Sequence, residues 1–165
     1  MRRGYVGLAA GFIVLAAAAA GMSAEPDGVA TKAPEPPVYR PVTSDLMNAV
    51  IQPRHIKLWL AGKNADWEYA EYERHNIGGA LARIAAAIPV YKGQQMADMI
   101  AVFATPQLTD LAVAIKAKDT AAFGVAYQAL TTGCNQCHQA TNHAMVVLKT
   151  PDGDSFPDQD FTPAL

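Results

Sequence analysis

The sequence predicts an all-α fold, and three observations carry that expectation. Apolar residues recur at helical spacing over four stretches between residues 44 and 138. Helix punctuation separates them: Gly62, Pro89, the Thr105-Pro106 pair and Asp119. The last stretch leads into Cys134-Asn135-Gln136-Cys137-His138, whose spacing suits a helix.

The first 42 residues stand apart from those helices. Met1–Ala24 has the pattern of a secretory leader: Arg2 and Arg3, then an uncharged apolar run from Val6 to Gly21, then small residues. Left uncleaved, the uncharged run from Gly4 to Ala24 is nearly long enough to anchor the chain in a membrane. Residues 25–42 hold five of the eleven prolines and little apolar content, the composition of a stiff, disordered tether.

A helical domain is expected over residues 43–146. Its first helix starts at Ser44 or Asp45 and runs to Ala61, with Gly62 as its stop. Pro53 must kink or split it, because proline has no N–H to give the preceding turn. At roughly 100° per residue, Met47, Ile51, Arg54, His55 and Leu58 share one face. The second helix runs from Ala65 to Ile88, capped by Asn64 or Asp66 and stopped by Pro89. The third is interrupted: Gln94–Ala104, then Leu108–Lys118 after Thr105-Pro106, with Pro106 at a first helical position. Met96 and Met99 read as core filling. The fourth starts at Asp119 or Thr120, carries Phe123, Tyr127 and Leu130, and continues through His143. Residues 147–165 read as an irregular tail whose aspartates are solvated; they lack the glycine and glutamate of a calcium loop.

Cys134-Asn135-Gln136-Cys137-His138 is the Cys-x-x-Cys-His attachment signature of a c-type haem. Two thiols each add to a vinyl group of one porphyrin, and the next residue supplies an imidazole to the iron. Residues three apart share a helix face, so both sulfurs meet the porphyrin edge. Three other readings compete. A redox dithiol opens a helix, where the N-terminus lowers a thiol pKa; this pair comes late in one. A structural zinc site asks for four ligands, and His138 abuts the second cysteine too closely for that template, although His143 is at hand. A disulfide would close a very short loop and leave His138 without a role. Haem accounts for all three side chains.

Composition agrees with export, since covalent haem is fitted outside the cytoplasm. Both of the two cysteines lie in the motif, so no disulfide framework is available. Without Arg2 and Arg3, 11 basic residues face 15 acidic ones, a net charge of −4. That balance argues against nucleic acid and anionic lipid as partners. No Ser/His/Asp or paired-carboxylate constellation stands out, so a stand-alone enzyme is not expected.

Four helices with this motif near the end of the last resemble the class II c-type cytochromes, cytochrome c′ and its low-spin relatives. The likeness is best over Lys118–His138, where Lys-Asp-x-x-Ala-Phe-x-x-Ala-Tyr-x-x-Leu precedes the motif. It is looser at Arg54 and Leu58. The resemblance implies an antiparallel four-helix bundle with one covalent haem on the last helix. It implies thioether bonds at Cys134 and Cys137, His138 as proximal ligand, Arg54 at a propionate and Leu58 in the distal pocket. Thr141 and Asn142 stand where the family carries an aromatic and an arginine, which marks a divergent branch.

The function expected is that of a periplasmic monohaem electron carrier serving periplasmic redox partners. Its iron is six-coordinate, with His55 as first and Met47 as second choice opposite His138. The alternative is a five-coordinate module that binds NO or CO above Leu58. A haem subunit of a larger oxidoreductase is a third reading, and a peroxidase with His55 as distal base a fourth. Family likeness also implies a homodimer through the first two helices, where Trp59, Trp67, Tyr69 and Tyr72 are available.

Overall fold

The structure is a computed structural model describing residues 39–153, 156 and 158–163. The chain divides into two compact units, Met1–Pro37 and Val38–Leu165. The leader and all but the last residues of the expected tether lie outside the described residues.

Among its described residues, the second unit is all-α apart from one small hairpin. Helix α1 (Thr43–Leu46), a π-helical turn (Met47–Ile51) and α2 (Gln52–Lys63) follow one another without a break. Pro53 occupies the first turn of α2. Its missing N–H leaves the preceding carbonyls short of an i→i+4 donor, and the chain widens into the π turn there. Gly62 does not stop the helix as expected. It stays inside α2 and is buried, because the Phe123 ring fills the space a Cβ would need.

Asn64–Asp66 turn the chain, with Ala65 at φ 59°. Asp66 caps α3 (Trp67–Ala87) by accepting from the Tyr69 N–H at 3.1 Å. After Pro89 the chain forms a hairpin that the periodicity did not anticipate. Strands β1 (Val90–Tyr91) and β2 (Gln94–Gln95) pair antiparallel, Val90 opposite Gln95. Lys92 and Gly93, at φ 52° and 80°, supply the two left-handed residues of a two-residue turn. The third helix therefore starts later than expected, as α4 (Met96–Phe103). It breaks at Ala104 and resumes as α5 (Thr105–Ala117) with Pro106 in its first turn.

Asp119 caps α6 (Thr120–Ala140), accepting from the Ala122 N–H at 2.9 Å. The helix ends short of His143. Asn142 takes φ 61°, the His143 N–H bonds back to the His138 carbonyl at 2.7 Å, and the chain doubles back along the helix.

Helix α2 packs on α3, α3 on α5, α5 on α6, and α6 on α2; α4 touches α3, α5 and α6. Leu58, Ile84, Leu111, Phe123, Tyr127 and Leu130 form the centre of the core. Trp59 and Trp67, both partly buried, pack against the core at Phe123, while Tyr72 is exposed. The tail is irregular but docked. Phe161 is buried against Tyr69, and the Lys57 ammonium lies 4.6 Å over the Phe156 ring. At the surface Asp152 meets Lys149 at 2.6 Å.

Candidate functional site

A cleft of about 820 Å³, counted to its open mouth, lies between the π turn, α3, α4 and α6. Ile77 and Leu81 of α3, Ile100 and Phe103 of α4 and Leu130 of α6 make its walls largely apolar. Cys134, Cys137 and His138 line one side together. Gly133, just before them, has no room for a Cβ: it would overlap the Phe103 carbonyl oxygen. That close approach draws the end of α4 onto the motif.

Neither cysteine is in a disulfide. Burial pushes the Cys134 thiol up to about 12 and also raises Cys137. A redox dithiol needs a depressed thiol pKa, so these surroundings oppose that chemistry. Among the described residues no group of three or more His, Cys, Asp or Glu is placed to hold a bare metal ion.

His138 is anchored through one nitrogen. Its Nδ1 lies 2.8 Å from the Val146 carbonyl oxygen. A carbonyl only accepts, so Nδ1 carries the proton and Nε2 keeps its lone pair. No hydrogen bond among the described residues uses Nε2. A second-shell bond of this kind fixes the tautomer and ring orientation of a metal-binding histidine. Val146 belongs to the returning segment, which is pinned by a residue inside the motif. Asn135 donates from Nδ2 to the Leu148 carbonyl at 2.9 Å and accepts from the Leu148 N–H at 2.8 Å. The expected boundary at residue 146 therefore falls inside this arrangement. The only advance signal was the short apolar run Met145–Leu148.

Met47 and His55 line the same cleft, and so do Met96 and Met99. Both His55 ring nitrogens are engaged: Nε2 lies 2.9 Å from the Thr131 hydroxyl and Nδ1 2.9 Å from the Tyr127 hydroxyl. Burial lowers its pKa to about 4, so the ring is neutral at ordinary pH. Ligation by His55 requires one of these bonds to open. Met47 has no such competing bond, and it sits in the π turn, a feature frequent at functional sites.

Arg54 and Leu58 are not brought to the cleft. Leu58 is fully buried in the core. Arg54 donates to Glu73 at 3.0 Å, and Tyr69 donates to the other Glu73 oxygen at 2.8 Å. Glu73 is only 3% exposed, so its charge needs these partners.

Comparison of the chain with protein-family models, with curated proteins and with solved structures found no match.

Proposed function

We propose that this chain is a monohaem c-type cytochrome of the class II kind, exported to the periplasm, and that it transfers single electrons. The observation that carries the reading is His138: its Nδ1 proton is held by Val146, and the residue lines an apolar cleft together with two unbridged thiols. When bound, haem supplies a reversible one-electron change at iron, chemistry that belongs to the cofactor. Cys134 and Cys137 would hold it by thioether bonds, and His138 would be the proximal ligand. The succession α2, α3, α5, α6 and back to α2 supports reading the fold as an antiparallel four-helix bundle whose core holds the cofactor.

The chain's own residues set the terms of transfer. The Val146 carbonyl keeps the His138 ring aimed and raises its basicity. The apolar walls exclude water and lower the local dielectric. Met47 would be the second residue to hold the group, because both His55 nitrogens are already bonded. A thioether ligand together with an imidazole would give a higher potential than two imidazoles. Periplasmic redox proteins are the partners of this reading, and a homodimer through the first two helices remains part of it.

The same occupancy of His55 favours a second reading. If Met47 stays off the iron, the distal side is apolar and open, which suits NO or CO. Absorption spectra of the haem-loaded protein, ferric and reduced, with and without CO, decide between them. A low-spin spectrum indifferent to CO, lost on Met47→Ala, supports the carrier. A high-spin spectrum that shifts with CO supports gas binding. A preparation without haem refutes both.

A further inference from the structure

We infer that a recess opening off the cleft, less apolar than the cleft itself, is the subsite for one propionate carboxylate of the porphyrin, an inference that rests on the haem reading above. The recess shares Met47, Asn48, Met96, Cys137, His138 and Val146 with the cleft, and its remaining walls include Thr43, Ser44, Tyr91 and His143. Hydroxyls and an imidazole are thus added to the thioether and aliphatic lining that the two share. No carboxylate side chain is among its walls within the described residues.

Porphyrin chemistry says where a charged group must go. Each vinyl-bearing pyrrole adjoins one propionate-bearing pyrrole, so a carboxylate falls on the Cys137 side of the ring as well as on the Cys134 side. An ionised carboxylate cannot enter an apolar wall without hydrogen-bond partners. Cys134 borders the apolar cleft alone, whereas Cys137 also borders the recess. The Cys137 side is therefore where the chain offers polar contacts.

The donors there are uncommitted. The Thr43 and Ser44 hydroxyls and the Asn48 amide make no side-chain hydrogen bond among the described residues. His143 donates from Nδ1 to the Thr141 carbonyl at 2.7 Å, so its Nε2 accepts from the Tyr91 hydroxyl at 3.2 Å. That bond is long for a hydroxyl donor, and the proton is free to turn towards a stronger acceptor. Arg54, the cation on the neighbouring helix face, is held by Glu73. Neutral donors take the place expected for it.

The test uses the haem-loaded protein with two variants: Ser44→Ala with Asn48→Ala, both at exposed positions, and Tyr91→Phe. Resonance Raman reads the propionate bending band, and potentiometry reads the midpoint. Both variants are expected to shift the band to lower frequency, because the carboxylate loses a hydrogen bond. Both are expected to lower the midpoint, because a less compensated carboxylate favours ferric iron. Band and midpoint unchanged in both variants overturn the inference. So does a shift confined to Arg54→Lys, which would return the carboxylate to Arg54. Failure of the haem reading itself is seen separately, as the absence of any haem band.

Discussion

Asn135→Ala cuts the two bonds that hold the returning segment on α6. Both are neutral and part-buried, at 2.9 and 2.8 Å. Net contributions of about 0.5–1.5 kcal/mol each put the combined loss at about 1–3 kcal/mol for closing this segment. The Leu148 amide proton reports on that closure directly, since Asn135 Oδ1 is its acceptor. With a factor of ten for every ~1.4 kcal/mol, Leu148 should exchange roughly ten- to a hundredfold faster with deuterium. The assay is native-state hydrogen exchange read by NMR. Amides in the middle of α6, such as that of Leu130, should keep their rates, because the opening is local. Asn135→Asp keeps the acceptor and should preserve more of the Leu148 protection than alanine does. Leu148 exchanging at the parent rate in Asn135→Ala would refute the clamp, and with it the account of how His138 is oriented.

Three further outcomes are expected. Burial lowers His55 from the ordinary imidazole pKa of 6.5 to about 4 in the folded chain, so the unfolded chain binds more protons between those limits. Stability should be fully present above pH 6.5 and fall by about 3 kcal/mol as pH drops to 4, levelling off below; urea midpoints across this range check it, and His55→Gln should flatten the slope. Gly133→Ala forces a Cβ into the Phe103 carbonyl and should cost about 1–3 kcal/mol, seen as a lower Tm. Arg54→Met strands the buried Glu73 and should cost about 3–5 kcal/mol in chemical denaturation, while Arg54→Met with Glu73→Met recovers much of it.

What could be read in advance was local. Asp66 and Asp119 cap α3 and α6 with side-chain hydrogen bonds, as their places before helical runs suggest. Pro53 marks a π-helical turn in the first helical stretch, and Pro106 opens α5. Residues 94 and 95 pair as a strand instead, because two-residue strands are too short to show a period of two. Long-range partners were hidden for a different reason. His55 lies on the expected face, but its hydroxyl partners come from positions 72 and 76 residues further on. Arg54 has the geometry to reach outward from its helix; what decides its role is a buried glutamate 19 residues away. Gly62 looks like a stop signal because a glycine's lack of a side chain serves close packing and helix termination equally well. The Cys-x-x-Cys-His motif was legible because its chemistry is contained in five consecutive residues. The Val146 carbonyl that orients its histidine was not, since it depends on a turn after the helix.

The most direct test of the central claim is the mass of the denatured, exported chain produced in a host that matures c-type cytochromes. The account predicts a mass increase of one haem that survives denaturation, falls away when Cys134 and Cys137 are both changed to serine, and accompanies a reduced haemochrome spectrum. A chain of unmodified mass that carries no pigment through denaturation would contradict it.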